Sequence, residues 1–171
     1  MESRMQDHFY TNQLNVQKRN KKQIDHEELK EQLAFVETYD EALEIALRFI
    51  EENKGDREVL FVSHPISAAQ EKTIEAQLQA LQKTIDQYDQ AGYFVFNQIP
   101  FHNSNLKNLK EKDIDEKFEK FFTPLLTSGR FDEIVFADLW QQSSGCQREY
   151  EIVKNLKIKK SFIDAKIDID G

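Results

Sequence analysis

Glycine is scarce in this chain and regularly placed. Only five occur in 171 residues, at positions 55, 92, 129, 145 and 171. Gly55 precedes EVLFVSHPI, Gly92 precedes YFVFNQIPF and Gly129 precedes RFDEIVFADLW. Each follows a segment of helical spacing and opens a run rich in β-branched and aromatic residues. A glycine that closes a helix and releases the chain into a strand produces this pattern. The spacing therefore predicts alternation of helices and strands. The same scarcity excludes G-x-G-x-x-G and G-x-x-x-x-G-K-[ST], because no two glycines lie close enough together.

The segments between these joints fill in the alternation. Residues 26–34 predict a short helix. Thr38-x-x-Glu41 is a capping box, and Tyr39, Ala42, Leu43, Ala46, Phe49 and Ile50 place a helix over 39–54. Strand one is expected at 58–64, apolar throughout its centre and hence buried on both faces. A long helix follows at 68–91, strand two at 93–99 and a Phe-rich helix at 113–127. Phe118, Phe121 and Phe122 read as core. Pro124 lacks an amide hydrogen, so a kink or break is expected near Thr123. Strand three is expected at 133–138. The last helix runs from a second capping box, Ser144-x-x-Gln147, to about Leu156, and strand four covers 160–164, extended as far as Ile167.

This order gives an α/β fold: one doubly wound, mainly parallel sheet of 4–5 strands with helices on both faces, plus an N-terminal helical extension. Residues 1–55 read as a polar arm and helix, and residues 56–171 as the α/β domain. The arm carries Lys18, Arg19, Lys21 and Lys22, read as a solvated cluster.

Composition narrows the partners. The 23 Lys and Arg against 31 Asp and Glu leave a net charge of −8. Such a field disfavours nucleic acid polymers and anionic membranes but permits one small anion held by local donors. A single Cys excludes a disulfide framework and any C-x-x-C site. No H-E-x-x-H occurs, and no metal or cofactor is expected. No apolar run approaches membrane-spanning length, and the start MESRMQDHFY lacks a signal peptide's apolar region, so a cytoplasmic protein is expected.

In a doubly wound sheet the ligand crevice lies outside the carboxyl ends of the strands. Strand one ends in Ser63-His64-Pro65, strand two in Asn97-Gln98 and strand three in Asp138-Leu139-Trp140. The helix that follows starts at Ser143-Ser144-Gly145. With Ser144 as its cap, the amides at its start face the crevice, and Gly145 has no Cβ to obstruct a ligand. Glu149 lies about one turn further on, where a carboxylate suits nucleophilic attack or stabilisation of an oxocarbenium ion. His64 suits ligand contact or acid–base work, and Trp140 suits stacking on a base or covering the sheet. Cys146, at a helix start, is a weaker candidate as a nucleophile with His64.

The run Ser143 to Glu149, with Asp138 and Trp140 upstream, resembles the nucleoside 2-deoxyribosyltransferase-like superfamily. The family spacing is Ser or Asp, then Gly two residues on, then Glu four residues after the Gly. VLFVSHPIS and AGYFVFNQIP resemble the family's first two strands, and the likeness spans roughly residues 58–164. The resemblance implies cleavage of an N-glycosidic bond in a small nucleoside or nucleotide, as in a deoxyribosyltransferase or a nucleoside 5′-monophosphate N-glycosidase. It implies Glu149 as the nucleophile, Asp138 near the sugar or base, Ser143 on the sugar or its phosphate, and a homo-oligomer. The chain departs from the family at Phe61, where active transferases carry a Tyr that orients the Glu, and at Tyr150, where a Gly is common. A non-catalytic nucleotide- or sugar-phosphate-binding module is the alternative. A third reading gives the function to the N-terminal extension as a partner-binding arm, removable by deleting residues 1–35 without loss of the fold.

Overall fold

A computed structural model describes residues 24–66 and 73–163. The basic cluster at positions 18–22, the start of the long helix at 68 and the continuation of strand four through Ile167 lie outside the described residues. Helix α1 (His26–Leu33) begins at Asp25, whose carboxylate accepts the Glu28 amide at 2.8 Å. Helix α2 (Tyr39–Asn53) begins with the capping box read from Thr38 and Glu41, both halves of which form. Then come β1 (Val59–Ser63), α3 (Ile74–Gln90) and β2 (Phe94–Val95). Helix α4 (Ile114–Lys117) leads into a π turn (Phe118–Phe122) and α5 (Thr123–Leu126). Strand β3 (Glu133–Phe136), α6 (Ser144–Val153) and β4 (Lys159–Phe162) complete the order. Gly55, Gly92 and Gly129 all have positive φ, as their place between helix and strand requires.

The four strands form one parallel sheet in the order β2-β1-β3-β4. This is the α/β fold expected from the alternation. Val59, Phe61, Ile134 and Phe136 point to one face, where α1, α2 and the Phe-rich helical run pack. Leu60, Val62, Val95 and Val135 point to the other, against Leu81 and Ile85 of α3. Because β1 has β2 on one side and β3 on the other, with crossovers on opposite faces, the direction of winding reverses between β1 and β3. That reversal fixes where a crevice opens.

Three local expectations are corrected or sharpened. Strand two is shorter than 93–99. The Asn97 side chain accepts the Ile99 amide at 3.0 Å, and Pro100 opens a 3₁₀ turn over Ile99–Phe101, so the chain leaves the sheet. The Phe-rich helix is disturbed just before Thr123, where a kink or break was expected, but the chain stays helical. It shifts register instead: the Thr123 amide bonds to the Phe118 carbonyl, five residues back. The wider turn immediately precedes Pro124, which has no amide to give to a regular α ladder. The last helix is capped by Ser143 rather than Ser144, and it ends at Val153.

Residues 24–36 are not separable from the domain. Ile24, Leu29, Leu33 and Val36 are buried in the same core as the sheet, so a deletion through residue 35 would remove packed side chains.

Candidate functional site

The site grows from the end of β1. Ser63 alternates to the same face as Val59 and Phe61 and is completely buried. A buried hydroxyl without a partner is costly, and this one donates to Oε2 of Glu149 on α6. Two contacts bring α6 there. The Ala137 amide, just after β3, bonds to the Ser63 carbonyl at 2.9 Å and holds the two strand ends level. Ser143 then caps the helix, its Oγ accepting the Cys146 amide at 3.3 Å and its carbonyl accepting Gln147 at 2.9 Å. From that start, Cys146, Glu149 and Val153 fall on the buried stripe. Glu149 is therefore directed inward, onto the carboxyl end of β1, with 6% of its surface exposed.

Burial pushes the Glu149 carboxyl up to about 7; the Ser63 hydrogen bond and the positive charge of Lys117 oppose the rise. Lys117, also buried, is the group sequence reasoning missed. It sits at the junction of α4 and the π turn. Its ammonium donates to the Phe101 carbonyl at 3.1 Å and to Asn103 Oδ1 at 2.9 Å, and lies 5.5 Å from the Phe122 ring centroid. Desolvation brings it down to about 8, against the pull of Glu149. Asn103 in turn donates to the Tyr39 hydroxyl at 3.1 Å. The available signal was spacing: Lys117 lies four residues before Phe121, on the apolar stripe of its helix, where a solvated lysine does not belong.

The remaining candidates divide into groups. Ser63, Ser143 and Glu149 are brought together with Cys146, while Gly145 lies one residue from the cap. The cap is Ser143 rather than Ser144: Ser143 is buried and caps, whereas Ser144 is exposed as the first helical residue. Burial, followed by the charge of Glu149, pushes the Cys146 thiol up to about 11, which disfavours the thiolate that a nucleophile needs. The helix start expected to lower it is outweighed by desolvation. His64 follows Ser63, and its Nδ1 lies 2.9 Å from the Pro65 carbonyl. Asp138 is exposed and accepts the Leu139 amide at 2.9 Å; Leu139 holds a left-handed φ of 62°. Trp140 covers the sheet edge, with ring centroids 5.0 Å from Phe136, 4.9 Å from Tyr150 and 5.7 Å from Phe162. Asn97 pairs with Gln82 at 3.0 Å and faces a separate cleft beside β2.

Phe61 lies wholly in the aromatic core, stacked on Phe96 at 6.3 Å and edge-on to Phe131 at 5.7 Å. The hydroxyl that reaches Glu149 comes instead from Ser63, two residues further along the same face. A Cβ added to Gly145 would meet only Ser143 Oγ, at 3.8 Å, an ordinary contact, so the backbone there is uncrowded. Among the described residues no group of three or more His, Cys, Asp or Glu is placed to hold a metal ion. Nor is any described helix long and apolar enough to cross a membrane.

Fold and site together define a parallel α/β protein with a buried, hydroxyl-bonded carboxylate where the winding of the sheet reverses. Comparison with protein-family models, with curated proteins and with solved structures gives no match.

Proposed function

We propose that this protein cleaves the N-glycosidic bond of a deoxynucleoside or its 5′-monophosphate, with Glu149 as nucleophile. The observation that carries this reading is the buried pair of Ser63 and Glu149 at the carboxyl end of β1. A carboxylate in such a place is desolvated and oriented, which suits attack at a sugar carbon. In the step envisaged, a Glu149 oxygen forms a bond to C1′. The C1′–N bond breaks, and its electron pair leaves with the base, which takes a proton from solvent. Water or a second base then displaces Glu149, taking the sugar and restoring the carboxylate. The family spacing of Ser143, Gly145 and Glu149 agrees with this chemistry, and Ser63 supplies the orienting hydroxyl that Phe61 does not.

The attacking form is the carboxylate. With the Glu149 carboxyl pushed up to about 7, the rate is expected to climb through that pH on its acid side. Chromatography of deoxynucleosides and their 5′-monophosphates after incubation with the full chain tests the proposal. Free base is expected, and its release is expected to vanish in Glu149→Ala. Base release that persists in that variant would refute the assigned nucleophile.

The same burial also favours a second reading. A carboxyl that is largely neutral below about 7 suits a hydrogen-bonding ligand site without turnover. That reading requires a thermal shift with nucleotides and no product after long incubation.

A further inference from the structure

We propose that the cleft beside β2 is the seat of the chain's own N-terminal segment, residues 1–23, which adds a strand to the open edge of the sheet. The inference is independent of the chemistry assigned to Glu149.

The sheet stops at β2, the outermost strand of the order β2-β1-β3-β4. Its inner side is paired: the Phe94 amide donates to the Glu58 carbonyl and the Phe96 amide to the Leu60 carbonyl, each at 2.9 Å. Val95 lies between them, so its own amide and carbonyl turn away from β1. Among the described residues neither group has a hydrogen-bond partner. Yet Val95 is only 7% exposed and lines a cleft of 440 Å³. Helix α2 lines the same cleft with Phe49 and Asn53, and α3 lines it with Gln82, Ile85 and Asp86. Unpaired backbone groups so far from water are costly. An extended segment laid along such an edge satisfies them, with its side chains seated in the groove.

Two observations select the occupant. The first is where the described chain begins. Ile24 itself lines the cleft and is 7% exposed, so residue 23 enters at its mouth. An extended chain spans at most about 3.6 Å per residue, so Lys18, Arg19, Lys21 and Lys22 stay within about 22 Å of Ile24 by any path. The residues upstream of them supply ample length for so short an edge. Leu14 and Val16 are two apart and share one face of an extended strand, as contacts with Phe49, Ile85 and Phe94 require.

The second observation is charge. Residues 1–23 carry five Lys and Arg against two Asp and Glu, in a chain whose net charge is −8. The cleft presents Asp25, Asp86 and Asp89. Arg57 answers Asp89 at 3.4 Å, whereas Asp25 and Asp86 meet neutral donors, the Glu28 amide and the Gln82 side chain. A basic segment complements that rim. The same edge of a second copy would set like charges against each other.

Amide exchange in the full-length protein, read by NMR, tests the pairing. The Val95 amide is expected to exchange about tenfold more slowly in the wild type than in a variant carrying Lys18→Glu, Arg19→Glu, Lys21→Glu and Lys22→Glu, the ratio that one ordinary hydrogen bond supports. The Phe96 amide, bonded within the sheet, is expected to exchange alike in both. Equal Val95 rates in the two proteins would overturn the proposal. A second measurement needs no charge reversal. The photocrosslinker p-benzoylphenylalanine is placed at Asn53, and an equal mixture of ¹⁴N- and ¹⁵N-labelled protein is irradiated. Crosslinks are expected to residues 1–23 of the same chain. Crosslinks joining light to heavy chains would assign the cleft to a second copy, and crosslinks that miss residues 1–23 would give it another occupant. Either result would overturn the proposal.

Discussion

Replacing Glu149 by Gln removes a charge whose burial is costly, so it separates chemistry from stability. The folded carboxyl titrates near 7 against an ordinary 4.5, so folding favours its protonated form. Stability from this group is complete below about 4.5 and declines as pH rises to 7. The difference between those two values amounts to roughly 3 kcal/mol. Glu149→Gln is expected to abolish base release and to flatten that decline, measured by urea unfolding at pH 4.5, 6 and 7.5. A decline of undiminished size in the variant would assign it to other groups. Ser63 acts in the opposite sense to burial. Ser63→Ala is expected to raise the Glu149 midpoint and slow turnover at pH 7, with turnover partly recovered above pH 8. Phe61→Tyr would place a hydroxyl among Phe96, Phe122 and Phe131, in the aromatic core. It is expected to cost about 1–3 kcal/mol by denaturant unfolding, as a buried hydroxyl lacking a partner does.

The α/β alternation was legible in the sequence because it is written by local rules. The capping box at Thr38 and Glu41, the period of Tyr39 to Ile50 and the apolar centre of β1 each specify their element without help from distant residues. Thr38→Ala, which removes the cap of α2, is expected to lower stability by about 1 kcal/mol. Where expectation and structure part, a nonlocal contact or a competing side chain decided the outcome. Asn97 took the amide that would have prolonged β2. Two adjacent serines precede α6, and it is Ser143 whose Oγ accepts the Cys146 amide. Glu149 was readable from spacing; for Lys117 spacing could have signalled burial but not its partners Phe101 and Asn103, which come from another element. Gly145 tests the start of α6 in two ways. Gly145→Ala meets no close atom and is expected to stabilise the helix by up to about 1 kcal/mol. A ligand seated against that backbone would lose affinity at the same time, visible as a raised KM.

At the scale of the whole molecule, the two buried charges shape the pH profile together. Lys117 is held down to about 8 from 10.5, so its contribution is lowest below 8 and is regained as pH rises toward 10.5. The Glu149 and Lys117 contributions therefore leave a shallow minimum between about 7 and 8, the range in which the carboxylate is available. The boundary of the fold also moves. Leu29 and Leu33 belong to the core beneath the sheet, so deleting residues 1–35 is expected to lower the melting temperature sharply rather than merely remove an arm. The contribution of Glu149 to chemistry is tested most directly by base release from a panel of deoxynucleosides and 5′-monophosphates, across pH 5 to 9, in wild type and Glu149→Ala. The expected result is release that rises through about pH 7 in the wild type and is absent in the variant. Equal release by both proteins, or none by the wild type at any pH, would contradict it.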